Sequence, residues 1–166
     1  MTRDYPSAVT VDESIAIRLA NDSDAHTISR WTHAPEVSRF WGGCELSVDV
    51  VLAKHTGRRA PEVVSYVITE VGQPVGYLQA WQIDGSFGLD MFISVEVQGR
   101  GIGSAAARAI AVELTARGWV PLTVDPALDN SRALRAWRAA GFVPAGGFGT
   151  DGNGRTTQIM RFGGTG

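Results

Sequence analysis

Three glycines, Gly99, Gly101 and Gly103, alternate with Arg100 and Ile102 in the stretch Val97-Gln98-Gly99-Arg100-Gly101-Ile102-Gly103-Ser104. The mostly apolar run Leu89–Ser94 precedes it, and a run of small helix formers follows. The order is strand, glycine turn, helix. A helix start carries free backbone N–H groups and the positive end of the helix dipole, and glycine lets an anion approach them closely. This arrangement suits retention of a cofactor's pyrophosphate. Two carboxylates offer a second kind of chemistry. Asp90 interrupts an apolar strand, where a buried carboxylate needs a partner. Asp125 follows the short run Val120–Val124 and precedes Pro126. Both fall at or near the C-terminal ends of strands expected to be neighbours, where a sheet presents its site. Carboxylates there bind ammonium groups and help to deprotonate one. For Asp125, a plain Asp-Pro turn is a competing explanation.

These residues need elements to hold them. Residues 1–13 read as a loose leader, and Ile15–Leu19 alternates as a first strand. Asn21–Asp24 offers helix caps before a short helix from Ala25 to Thr32. Ser47 caps another through Lys54, with Val48, Val51 and Leu52 inward. Val63–Glu70, Val75–Ile83 and Phe87–Ser94 read as three sequential antiparallel strands. After the glycine turn, Ile102, Ala106, Ile110 and Leu114 form an apolar stripe, and Gly118 stops the helix. A helix crossing makes Val120–Val124 parallel to Phe87–Ser94. Arg132–Ala140 reads as a last helix, with strands starting at Phe142 and spanning Thr156–Phe162. The expected class is mixed α+β: a mostly antiparallel sheet with flanking helices.

Composition narrows the function. The chain has 166 residues, 44% of them hydrophobic, which fits a single domain, 1–166, with a real core. A formal net charge of −2 argues mildly against a nucleic-acid partner and allows a cationic small substrate. Cys44 is the sole cysteine, which excludes an intramolecular disulfide and a cysteine metal cluster and fits a reducing cytoplasm. Residues 1–12 carry no apolar core of a signal peptide, and no run is long enough to span a membrane. His26, His33 and His55 show no metal-ligand spacing, so no metal is expected.

The glycine turn does not fit a dinucleotide-binding fingerprint. Its third glycine is one position early, with Ser104 where that pattern needs glycine, and no Gly-Lys-Ser/Thr follows for a Walker loop. It does fit Gln/Arg-x-x-Gly-x-Gly/Ala, met by Gln98, Gly101 and Gly103. Downstream, Asn130-Ser131-Arg132-Ala133-Leu134-Arg135-Ala136-Trp137-Arg138-Ala139-Ala140-Gly141-Phe142 fits Asn-x-x-Ala, an aromatic, then Ala-Gly-Phe. Both segments, in this order and separation, resemble the GCN5-related N-acetyltransferase (GNAT) superfamily. The resemblance implies the GNAT fold with αβα layers, and acetyl-CoA as cofactor. It implies cofactor contacts at Phe92, Ile93, Gln98, Gly99, Arg100, Gly101, Ile102, Gly103, Ser104, Asn130, Ala133 and Trp137.

Within that superfamily the chain is similar to aminoglycoside 6′-N-acetyltransferases. Trp41-Gly42-Gly43, Gly76-Tyr77-Leu78-Gln79, Asp90 and Asp125-Pro126 carry the likeness. It implies direct acetyl transfer to an amine in a ternary complex, with Asp90 and Asp125 catalytic and Trp41, Gln79, Trp81, Asp90 and Asp125 around the substrate. The expected partner is a small-molecule amine, not nucleic acid or membrane, and the expected enzyme is a cytoplasmic monomer or homodimer. Other acceptors, a different small amine or a protein amino group, stay open, as does a non-catalytic acyl-CoA-binding module. One departure bears on this. Many relatives place a tyrosine, taken as the acid for the thiolate, where this chain has Trp137. Tyr66 and Tyr77 are the conceivable substitutes. The stripe Arg132, Arg135, Arg138 reads as a solvated helix face or a contact for the cofactor's 3′-phosphate.

Overall fold

A computed structural model of the chain describes residues 1–164. Eight strands form one sheet: β1 (Ala8–Thr10), β2 (Ile15–Leu19), β3 (Val63–Glu70), β4 (Gln73–Ile83), β5 (Ser86–Ile93), β6 (Leu122–Val124), β7 (Phe142–Thr150) and β8 (Thr156–Phe162). Their order across the sheet is β1-β2-β3-β4-β5-β6-β8-β7. Every neighbouring pair is antiparallel except β5 and β6, which run parallel. The helices are α1 (Ala25–Trp31), α2 (Pro35–Ser38), α3 (Val48–Lys54), α4 (Ile102–Ala116) and α5 (Ser131–Ala139). The parallel pair follows from the chain itself, because α4 carries it back across the sheet between β5 and β6.

Strand alternation sends side chains to two faces, and each face has its own core. Tyr66, Leu78, Leu89 and Leu122 pack with the buried stripe of α4, Ile102, Ala106, Ile110 and Leu114. Val67, Tyr77 and Phe92 pack on the other face with Ile28 and Trp31 of α1 and Val51 of α3. Local signals mark the ends of these helices. Ser47 Oγ accepts from Val50 N at 3.2 Å at the start of α3, and Asn130 Oδ1 accepts from Ala133 N at 3.2 Å at the start of α5. Gly118, at φ +89°, lets the chain leave α4 in a left-handed turn.

The first residues depart from the expected loose leader. Ala8–Thr10 pairs with β2, Tyr66 Oη donates to Pro6 O at 2.8 Å, and Trp119 Nε1 donates to Asp4 O at 2.9 Å. Gln82 also exchanges two hydrogen bonds with the Arg3 backbone. Val9 is the one buried side chain of this three-residue strand, so local periodicity is too short to show it. The β7 strand likewise runs well past Ala145, through Gly146 and Gly147, as an exposed edge.

Thr157 on β8 is buried, and its Oγ1 has no hydrogen-bond partner among the described residues. A hydroxyl desolvated without compensation costs about 1–3 kcal/mol, and valine keeps its shape without that polar atom. Thr157→Val is therefore expected to raise the melting temperature by about 2–4 °C for each kcal/mol regained. Differential scanning calorimetry checks this, and a lowered Tm would mean that the hydroxyl is satisfied.

Candidate active site

The parallel ladder between β5 and β6 is short: Phe87 pairs with Leu122 and Gly88 with Thr123, and pairing stops there. Two steps further along the same register lie Asp90 and Asp125. Past the last pair the strands part, and a cleft of about 1010 Å³ opens between them. Its lining includes Asp90 through Ile93 of β5, Asp125 and Pro126 after β6, the glycine turn, and one side of α5. Side chains from α2, the following loop and α3 form the opposite wall, with Trp41, Leu46 and His55 among them.

The glycine turn forms one end of this cleft. Gly99 and Gly101 have φ of +82° and +80°, and nothing stands within 4 Å of where a Cβ would project from either. Gly101 caps α4 without a side-chain hydrogen bond, and the first backbone bond of the helix runs from Ala105 N to Gly101 O. The N–H groups of Ile102, Gly103 and Ser104 are thus left without intrahelical acceptors. The first turn of α4 holds no acidic residue. Gly103 serves packing instead. A Cβ there would sit 3.1 Å from Ile93 Cγ1 and 3.3 Å from Met91 Cε, so its absence lets α4 lie against β5. Gln98 closes the turn by donating to Ile93 O at 2.8 Å and accepting from Arg132 Nη1. This end of the cleft fits a pyrophosphate: bare N–H groups, a helix dipole and no side chain in the way.

Most residues expected to hold the cofactor line the cleft: Phe92, Ile93, Gln98, Gly99, Gly101, Ile102, Gly103, Ser104, Asn130, Ala133 and Trp137. Arg100 does not. Its guanidinium makes two hydrogen bonds to Glu70 on β3, at 3.0 and 2.7 Å. Arg132 and Arg135 face the cleft, whereas Arg138 is outside its lining. Trp137 is only 5% exposed and packs edge-on against Phe142 at 5.2 Å, so helix-face packing accounts for most of its surface.

The other end is acidic. Asp90 keeps some contact with the cleft, yet protein surrounds it, and burial raises its carboxyl above the ordinary value, against hydrogen bonds from Gln79 and Trp81. Asp125 is pushed up to about 6 by burial and then by the negative charges of Asp90 and Asp151. Water on its exposed side screens part of that repulsion. Asp90, Asp125 and Asp151 all line the cleft, and none forms an ion pair among the described residues. Gln79 Nε2 donates to Asp90 Oδ2 at 3.0 Å. Trp41 lines the cleft with its ring 5.0 Å from Phe92 and 5.6 Å from Tyr77. Trp81, expected around the substrate, lies outside the cleft in a neighbouring groove. Its ring covers Gly88, where a Cβ would come within 2.0 Å of Cζ2. None of the three tyrosines lines the cleft. Tyr66 is buried on the α4 face, and Tyr77 is buried beneath the acidic end, so neither reaches a leaving thiolate there.

Three features escaped sequence reasoning. Asp151 sits in a turn that reads only as a turn. His55 carries no motif. A clasp joins the two walls: Arg39 and Arg155 stack on Phe40, at 4.9 and 5.0 Å, and both reach Asp129, at 3.5 and 2.8 Å. The loop after Trp41 and the β7–β8 turn also touch, with Asn153 Nδ2 3.4 Å from where a Gly43 Cβ would be. Separations such as the 26 residues from Asp129 to Arg155 leave no local pattern to read.

Comparison with known proteins agrees with this architecture. A family model described as an acetyltransferase (GNAT) domain matches residues 20–149. A curated relative, aminoglycoside N(6′)-acetyltransferase type 1 of Klebsiella pneumoniae, is 26% identical over 164 aligned residues, covering 86% of this chain and 80% of its own. The structure of AAC(6′)-Ib in complex with paromomycin and acetyl-CoA superposes with a TM-score of 0.79 at 24% identity, covering 90% of this chain and 93% of that one. A ribosomal L7/L12 alpha-N-protein acetyltransferase, RimL, superposes at 0.77 and 14% identity, covering 97% and 98%.

Proposed function

The chain belongs to the GNAT acetyltransferase family, and from that premise we propose that the amine it acetylates is carried by an aminoglycoside. It is an acetyl-CoA-dependent N-acetyltransferase. The bare N–H groups of α4 and the gap between β5 and β6 are where its residues would hold acetyl-CoA, which supplies a thioester carbon for attack. What carries the acceptor assignment is the cluster of carboxylates Asp90, Asp125 and Asp151 at the far end of the same cleft, none of them ion-paired among the described residues. Such a cluster attracts a polycation and repels an acidic ligand. The relatives named aminoglycoside N(6′)-acetyltransferases support this choice. Contact between the two walls favours a compact acceptor over a polypeptide.

Each residue then has a task. Asp125 and Asp151 hold ammonium groups. Asp90, whose carboxyl burial raises above its ordinary value, accepts the proton that the attacking ammonium must shed. Trp41 offers an apolar surface to a sugar ring. With no tyrosine lining the cleft, the sulfur leaves without a tyrosine acid. An enzyme acting with acetyl-CoA on an antibiotic would work in the cytoplasm, as a resistance determinant.

The test is thiol release with acetyl-CoA and a panel of acceptors: aminoglycosides bearing a 6′-amino group, matched compounds with a 6′-hydroxyl, spermidine, and peptides with free N-termini. Turnover is expected with the 6′-amino compounds alone. Preference for peptides or spermidine would move the acceptor to another class, and coenzyme A binding without turnover would indicate a binding module.

A further inference from the structure

Beneath the acidic end runs a chain of hydrogen bonds that no step above uses. Tyr77 Oη lies 2.9 Å from His55 Nδ1, 2.8 Å from Ser65 Oγ and 3.0 Å from Gln79 Oε1. Gln79 Nε2 continues it to Asp90 Oδ2 at 3.0 Å. Ser65 and Tyr77 are buried, so water does not complete their bonding, and His55 meets the cleft only at its edge. The donors can be counted. Tyr77 has one proton. The Gln79 carbonyl oxygen only accepts, so that proton is committed to Gln79. His55 Nδ1 and Ser65 Oγ must then both donate to the Tyr77 oxygen.

We propose that His55 is a positioning residue for Asp90, acting as the Nδ1-protonated tautomer at the head of a one-way relay through Tyr77 and Gln79. This rests on the reading of Asp90 as the acceptor-side carboxylate. The relay fixes the Gln79 amide with its nitrogen, not its oxygen, toward Asp90. A reversed amide would set an oxygen against the carboxylate. Gln79 donates to Oδ2 and Trp81 also donates to the carboxylate, so both hold Asp90 in one orientation toward the acceptor. Protonated histidine would still donate at Nδ1, but burial, then the charges of Arg59 and Lys54, lower the ring to about 4 against a hydrogen bond with Gln79. The ring packs at 5.2 Å from Tyr77 and 6.1 Å from Trp41, and this holds its plane. Its position just past the end of α3 therefore links the apolar wall of the cleft to the geometry of its carboxylate.

Two measurements test this. Long-range ¹H–¹⁵N correlation on the histidine-labelled full chain at neutral pH is expected to show His55 neutral with the proton on Nδ1. A proton on Nε2 overturns the relay, whatever the acceptor turns out to be. The second is kinetic. Asparagine places its amide nitrogen where Nδ1 stands, whereas glutamine places it nearer Nε2. His55→Gln is expected to lower kcat about tenfold with the coenzyme A Kd unchanged, because Gln79 and Asp90 lose their fixed orientation. His55→Asn is expected to restore kcat to within about twofold. Equal impairment of both variants overturns the relay. A panel without aminoglycoside turnover, alongside an Nδ1 proton, would overturn the acceptor assignment and leave the relay standing.

Discussion

Gly101→Asp is expected to weaken coenzyme A binding by more than about a hundredfold, while Gly101→Asn weakens it only a few-fold. The pair separates charge from strain. At φ +80° any side chain carries a conformational cost, about 1–2 kcal/mol for most residues and less for Asn and Asp, which tolerate the left-handed region. Open space surrounds the position, so neither side chain clashes with the protein. What differs is one negative charge beside the unpaired N–H groups of α4. Two unit charges 4 Å apart at an effective dielectric of 20 repel by about 4 kcal/mol, enough for that loss. Isothermal titration at low and high salt checks the origin, because screening should shrink the aspartate penalty and leave the asparagine penalty alone. Equal losses for both variants would assign Gly101 to backbone conformation and remove the phosphate from this turn.

The glycine turn and its helix were legible because their signals are local. Glycines at 99, 101 and 103 sit where the backbone turns or where α4 approaches β5, and the Ile102–Leu114 stripe is buried as its period requires. The meander from β3 to β5 was legible for the same reason, since consecutive strands pair with their neighbours. Parallel pairing of β5 with β6 followed from the intervening helix. What sequence could not show depends on distant partners. Val9 becomes a strand residue only because Ile17 stands opposite it. Arg100 reads as a cofactor contact, and only the fold brings Glu70 of β3 to its guanidinium. Trp81 reads as a residue around the substrate, and only the fold closes its ring over Gly88, its partner across β4 and β5. His55 had no signal of its own, and its role comes from Tyr77, 22 residues later. The acidic end is therefore less legible than the turn: it is assembled from β5, the segment after β6 and the β7–β8 turn.

Asp90→Asn makes the strongest demand on that assembled end. It is expected to lower kcat/KM for the acceptor by about 100-fold or more, the scale of a lost general base, and to leave the coenzyme A Kd unchanged. The amide oxygen can still accept from Gln79, but the amide has one acceptor oxygen where the carboxylate has two for Gln79 and Trp81. Stability should move the other way. Burial holds the Asp90 carboxyl above its ordinary 3.8, so the native state keeps a proton that the unfolded chain has already released. Stability is therefore fully present below 3.8 and falls as pH rises through the raised value, which makes ionised Asp90 a cost at neutral pH. Removing that charge raises Tm while activity collapses. It also relieves Asp125, whose rise to about 6 owes part of its size to Asp90. In wild-type protein the acceptor Kd should worsen as pH falls through about 6 and Asp125 is neutralised. In Asp90→Asn that limb should move to lower pH. Calorimetric titration of the acceptor between pH 5 and 8, beside a thermal melt, reads both shifts. Unchanged turnover with a lowered Tm would make Asp90 a structural carboxylate and transfer the proton-accepting role to Asp125.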